Sequence, residues 1–247
     1  MILQMNETQV LEIDIGNSFA KWRVRAAEHT LLSDKVALKS LNVNELFSAA
    51  AQLKITKVSI CSVAGTQVDR LFAGRIELLW GLVAEFFSVQ ESCAGVLNSY
   101  VDPSKMGADR WLATVAAKHL YPNTEICILD CGTAINVELL SASAVHRGGY
   151  IMPGIEMMQH SLLVNTAQVY CSAEQLGLEP GLDTGANVAN GSLMLAVALL
   201  EKLQRQMQQQ GGLLLLTGGG AKYLLGYSEA ANIRYVPDLL MDGFKYI

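Results

Sequence analysis

Apolar positions along the chain recur with two different periods, and their alternation predicts an α/β fold. Short apolar runs rich in Leu, Ile and Val, bounded by Gly, Asn, Asp or Ser, read as strands at Leu11 to Ile15, Lys57 to Val63, Glu85 to Val89, Ile128 to Cys131, His146 to Met152 and Leu213 to Leu216. Between them, apolar residues at helical spacing predict helices over Val43 to Leu53, Arg110 to Leu120, Ile155 to Tyr170 and Val188 to Gln209. For the first of these, Asn42 is a natural N-cap with Glu45 three residues on. The apolar run from Leu193 to Leu200 is far shorter than the roughly 18 residues that a membrane span needs, so none is expected.

The pattern also repeats. Leu11-Glu12-Ile13-Asp14-Ile15-Gly16-Asn17-Ser18-Phe19-Ala20 echoes Ile128-Leu129-Asp130-Cys131-Gly132-Thr133-Ala134-Ile135. Each is an apolar run ending in Asp-x-Gly, with a hydroxyl residue just after and a second run behind it. That reads as strand, tight turn, strand. The two aspartates are 130 − 14 = 116 positions apart, close to half of 247 residues. Two related domains are the economical reading, residues 1–118 and 119–247. A third glycine turn, Thr217-Gly218-Gly219-Gly220-Ala221-Lys222, follows the Leu213 to Leu216 run, where backbone can approach a ligand closely.

Composition narrows the class. With 51% hydrophobic and 17% charged residues the chain is a packed globular protein, far from the disordered class. A net charge of −5, with Lys and Arg scattered, excludes a phosphate-backbone stripe, so no nucleic-acid partner is expected. The first residues, Met1 to Glu7, lack a basic flank and an apolar core, so no signal peptide is read and the expected address is the cytoplasm. The five cysteines, Cys61, Cys93, Cys127, Cys131 and Cys171, contain no C-x-x-C pair and are read as reduced core residues. None of the four histidines has metal-ligand spacing, and none is nominated. There is no G-x-x-x-x-G-K-[ST], which removes the P-loop route to nucleotide chemistry.

Glycine turns after strands present N–H donors that suit phosphate oxygens. Carboxylates beside such turns, Asp14 and Asp130, make sense near polyphosphate only if cations bridge them. A single Asp-x-Gly would be ordinary turn chemistry, but two, with a third glycine turn, point to phosphoryl transfer. The string Tyr100-Val101-Asp102-Pro103-Ser104-Lys105-Met106-Gly107-Ala108-Asp109-Arg110-Trp111 is an irregular loop running into a helix near Asp109. Asp109 there could serve as a helix cap or as a general base for a substrate hydroxyl, with Arg110 beside it for an anionic group.

Taken in order, Asp14-Ile15-Gly16-Asn17-Ser18, Pro103-x-x-x-Gly107-x-Asp109-Arg110, Asp130-x-Gly132-Thr133-Ala134, Gly148-Gly149-x-Ile151-x-Pro153-Gly154 and Thr217-Gly218-Gly219 resemble the type III pantothenate kinase family, from near residue 10 to the end. That resemblance implies two ribonuclease-H-like domains of the actin-like ATPase superfamily with an interdomain cleft, a homodimer, and ATP-dependent phosphorylation of pantothenate, the first step toward coenzyme A. It further implies that Asp14, Ile15, Gly16, Asn17, Ser18, Phe19, Ala20 and Lys21 form a phosphate-binding hairpin with Asp14 near magnesium. By the same resemblance Gly132 and Thr133 contact ATP, and Asp130 holds a monovalent cation, potassium or ammonium. Tyr100, Gly107, Ala108, Asp109 and Arg110 match the family's pantothenate loop, Asp109 its general base, and Thr184 a pantothenate-contacting threonine. Ser18 stands where the family usually has Thr, and Gly220 where an acidic residue is common. Two other readings share the fold: a regulatory protein that only binds nucleotide, for which a base beside an arginine has no use, and a kinase for another small hydroxyl compound such as a sugar.

Overall fold

In the computed structural model, which describes residues 8–166 and 176–247, each of the runs read above as a strand coincides at least in part with one. The chain divides into two compact units. The first comprises residues up to Ala94 together with Tyr100–Ala116 and Leu240–Ile247; the second comprises Gly95–Ser99 and Ala117–Leu239.

The first unit is built on β1 (Gln9–Ile15), β2 (Phe19–Ala26), β3 (His29–Ala37), β4 (Ile55–Ser62) and β5 (Glu85–Phe86), in the sheet order β3-β2-β1-β4-β5. β1 pairs antiparallel with β2 and parallel with β4. Because strand side chains alternate, Leu11, Ile13 and Ile15 enter one core with Val58, Ile60, Phe72 and Ile76, while Glu12 and Asp14 point to the other face. On that other face Glu12, 1% exposed, accepts from Arg23 Nε at 2.6 Å and from Arg25 Nε at 2.8 Å. Arg23 also donates to the Met241 carbonyl at 2.6 Å, which ties the C-terminal segment to this sheet. Cys61, Leu112, Met241 and Phe244 form a second, smaller core.

Val43 to Leu53 is not a helix. Asn42 and Glu45 do meet, with Asn42 Nδ2 donating to Glu45 Oε1 at 2.8 Å, but only a single 3-10 turn forms, at Ser48–Ala50. Phe47 takes a left-handed φ of 64° and its ring is buried edge-on against Trp22 at 5.4 Å and Phe72 at 5.9 Å. The left-handed backbone costs roughly 1–2 kcal/mol. Burying the ring contributes roughly 1.5–3 kcal/mol before the aromatic contacts are counted, so packing overrides the helical pattern. Conversely, α1 (Thr66–Trp80) is a helix that the periodicity did not single out; Gly65 at its N-cap supplies no side-chain cap.

The second unit repeats the plan. β6 (Ile126–Cys131), β7 (Ala134–Leu140), β8 (His146–Pro153), β9 (Leu213–Thr217) and β10 (Ile233–Tyr235) lie in the order β8-β7-β6-β9-β10. β6 is again antiparallel to the strand after it and parallel to its other neighbour. Helix α2 (Ala108–Leu120), most of it in the first unit, precedes β6, and α3 (Ile155–Asn165) and α4 (Thr184–Gln209) lie between β8 and β9. Ile155, Leu193, Val197 and Leu200 pack on Leu129, Val137, Leu214 and Leu216. The helix expected over Ile155 to Tyr170 is observed to Asn165; its last residues, Cys171 and Met1 to Glu7 lie outside the described residues. α4 begins four residues earlier than the periodicity indicated, because Asp183 caps it by accepting from Ala186 N at 2.8 Å.

Candidate active site

In the first unit Asp14 is the penultimate residue of β1, opposite Lys21 on β2 and Cys61 on β4. The turn that follows is tight: Gly16 N donates to Phe19 O at 3.0 Å, and a Cβ on Gly16 would come within 3.3 Å of that same oxygen. Asn17 and Phe19 are exposed at the tip. Lys35 on β3 is in register with Lys21 and places Nζ 3.7 Å from the Phe19 ring centroid, so a cation stands over the tip of the hairpin.

The loop ahead of α2 brings the other candidates to the same unit. Trp111 N donates to Gly107 O at 3.0 Å, so helical bonding starts at Gly107 and Asp109 lies in the first turn, past the cap position. Asp109 Oδ1 accepts from Arg110 N at 2.8 Å. It occupies the space a side chain on residue 107 would need, since a Cβ there would lie 2.5 Å from it. Arg110 is buried, donates from Nη1 to the Tyr100 hydroxyl at 3.0 Å and stands 5.8 Å from the Tyr100 ring centroid.

One group reports on both carboxylates. Burial pushes the Cys61 thiol well up from its ordinary value, and Asp14 and then Asp109 push it further. Asp14 is in register with Cys61 across β1 and β4, and Cys61 packs with Ala108 and Leu112 of α2, so the hairpin carboxylate and the start of α2 lie on the same side of the first sheet. Cys61 is a free, buried core residue, as expected from the sequence. Its position opposite Asp14 depends on a parallel pairing across more than forty residues, which no local signal encodes.

In the second unit Asp130 takes the place that Asp14 has in the first, opposite Asn136 on β7 and Thr217 on β9. Gly132 and Thr133 are exposed at the turn. Two glycines close on this turn. A Cβ on Gly154 would lie 2.5 Å from the carbonyl oxygens of both Gly132 and Thr133, and Gly154 N donates to Thr133 O at 3.0 Å. Gly218, with φ of +84°, stands against Asp130 Oδ1 and the Cys131 carbonyl. Burial, then the Asp130 charge, pushes the Cys131 thiol up to about 12. Thr184 is exposed at the first residue of α4 and lines a groove of about 440 Å³ with Met158, Leu162 and Leu195, apart from the Asp130 turn in sequence and element. Among the described residues no group of three or more His, Cys, Asp and Glu could cage a metal ion.

Two sheets of identical strand order, each with an aspartate at the end of its first strand and a glycine hairpin beyond it, define the actin-like ATPase fold class. The crystal structure of a Baf family protein from Campylobacter jejuni superposes with a TM-score of 0.61 over 95% of each chain at 18% identity. The (R)-2-hydroxyglutaryl-CoA dehydratase component A of Acidaminococcus fermentans does so with a TM-score of 0.51, at 13% identity, over 96% of this chain and 94% of that one. At such identities these likenesses speak for the fold alone. Sequence goes further: residues 10–206 match the family described as type III pantothenate kinase. A type III pantothenate kinase of Pseudomonas aeruginosa is 33% identical over 95% of this chain and 96% of its own. The chain belongs to the type III pantothenate kinase family.

Proposed function

We propose that the chain transfers the γ-phosphoryl group of ATP to the primary hydroxyl of pantothenate, opening the route to coenzyme A, with Asp109 as general base. The observation that supports this most is the packing around Cys61: it is in register with Asp14 and packs with Ala108 and Leu112 on either side of Asp109, so a phosphate-hairpin carboxylate and a candidate base lie on one side of the sheet, with Tyr100 and Arg110 bonded to each other in the adjoining loop. The hydroxyl oxygen attacks the γ-phosphorus as the bond from that phosphorus to the ADP oxygen breaks. The hydroxyl proton passes to the Asp109 carboxylate. Arg110, buried and oriented by Tyr100, offers its guanidinium to the pantothenate carboxylate, while Gly107 and Ala108 leave the loop backbone open to the substrate.

The hairpin from Asp14 through Ile15, Gly16, Asn17, Ser18, Phe19 and Ala20 to Lys21 and the turn at Gly132 and Thr133 both serve ATP phosphates through backbone N–H groups and hydroxyls. Magnesium is bound through few protein ligands plus phosphate oxygens and water, and a single half-buried carboxylate at Asp14 fits that habit. Asp130 Oδ1 and the Cys131 carbonyl, which also accepts from Gly220 N, both border the space that a side chain on Gly218 would fill, a pair of hard oxygen donors suited to potassium or ammonium. Bound cations there would neutralise charge on the transferring phosphoryl group. No helix among the described residues is long and apolar enough to cross a membrane. We assign the protein to the cytoplasm, where its co-substrate ATP is made and used.

Leu162, Leu163, Val164, Met194 and Leu195 leave an exposed apolar face on α3 and α4. A second copy of the chain covers it in our reading, with Thr184 at its edge contacting pantothenate. ADP release measured with and without pantothenate, in potassium and then in sodium buffer, tests the function. Release that depends on pantothenate and falls in sodium is expected; release indifferent to pantothenate would overturn the reading.

A further inference from the structure

We infer that Ser99, His146 and Glu138 form a clamp that positions the pantothenate loop, a role that rests on the reading of Tyr100 as a substrate contact. His146 has no exposed surface and Glu138 only 2%. His146 Nε2 lies 2.8 Å from Glu138 Oε2, and its Nδ1 lies 3.1 Å from Ser99 Oγ. A carboxylate only accepts, so Nε2 carries the proton donated to Glu138; in the neutral ring Nδ1 then accepts from the Ser99 hydroxyl. Glu138 fixes the ring, and the ring fixes Ser99. Gly149 makes room for this: a Cβ there would come within 2.8 Å of Glu138 Oε2.

Stability alone does not call for such a group. A buried polar pair of this kind is commonly no better than apolar residues of similar volume. What the pair provides here is a hydrogen bond aimed at a residue from elsewhere in the chain. Ser99 ends the five-residue segment Gly95–Ser99, which belongs to the second unit although the residues on either side of it, Ala94 and Tyr100, belong to the first. Among the contacts of that segment, Leu97 N donates to Ala144 O at 2.9 Å and Ser99 meets His146. The next residue is Tyr100, whose hydroxyl accepts from Arg110. Adjacent Cα atoms are fixed about 3.8 Å apart, so a displacement at Ser99 passes directly into the Tyr100 backbone. The wholly buried ring cannot reach substrate, which makes His146 a positioning residue and not a catalytic one. Hydrogen bonds of this kind are what hold a binding constellation to within about half an ångström of its working geometry.

The test is steady-state kinetics of the full chain carrying Ser99→Ala, Ser99→Thr, His146→Gln or Tyr100→Ala. Ser99 is exposed, so its alanine variant folds whether or not the His146 variant does. Ser99→Ala is expected to raise the KM for pantothenate roughly tenfold while the KM for ATP stays within about twofold of the parent value. Ser99→Thr, which keeps the hydroxyl, should recover most of the loss, and His146→Gln should behave like Ser99→Ala. A pantothenate KM unchanged in Ser99→Ala but raised in Tyr100→Ala would overturn the clamp and leave the substrate loop standing. A KM unchanged in Tyr100→Ala would overturn the reading of Tyr100, and the clamp with it.

Discussion

Substituting Gly107 by alanine separates the placement of Asp109 from everything else the loop does. The Gly107 φ lies outside the left-handed region, so an alanine backbone is acceptable there. The obstacle is local: the new Cβ would stand 2.5 Å from Asp109 Oδ1, about 0.9 Å short of the 3.4 Å at which ordinary contact begins. Arg110 Cδ, at 3.6 Å, needs no movement. The carboxylate is the flexible partner and must retreat, loosening its 2.8 Å bond from Arg110 N. With Asp109 as the proposed proton acceptor, a displacement near 1 Å costs on the order of 10²-fold in rate. The same substitution restricts the unfolded chain, which is worth about 0.4–1 kcal/mol of stability and offsets most local strain. Gly107→Ala should therefore turn over about a hundredfold more slowly with a thermal midpoint near that of the parent. ADP release under saturating ATP and pantothenate, run beside a thermal melt, reads both quantities. Turnover within about threefold of the parent at an unchanged midpoint would refute the claim that the position of Asp109 limits the reaction.

Glu12→Ala should destabilise the first unit by about 3–5 kcal/mol, because it leaves the Arg23 and Arg25 guanidiniums without the buried carboxylate that both engage. A urea titration followed by circular dichroism checks this, and a loss under about 1 kcal/mol would show that the pair is dispensable. Sedimentation equilibrium should give the mass of two chains, and a single-chain mass at micromolar concentration would remove the dimer and the assigned role of Thr184.

The turns of the candidate site were legible because their residues announce themselves locally. Asp14-x-Gly16 and Asp130-x-Gly132 each end a buried strand, and turn chemistry alone marks their tips. The repeat they suggested is present as two sheets with the same strand order. What stayed hidden depends on distant pairing or on packing. Phe47 looked like one apolar position of a helix, yet its ring is worth more in the core than the helix would be. Cys61 meets Asp14 only through the parallel register of β1 and β4. His146 was passed over because its partners, Glu138 and Ser99, lie 8 and 47 positions away with no motif spacing between them.

The most direct test is the turnover of Asp109→Asn, which keeps the shape of the side chain and removes its basicity. Phosphopantothenate formed per second at saturating ATP and pantothenate should fall by roughly 10²–10⁴ while the folded structure persists. Product appearing at close to the parent rate would contradict Asp109 as the proton acceptor.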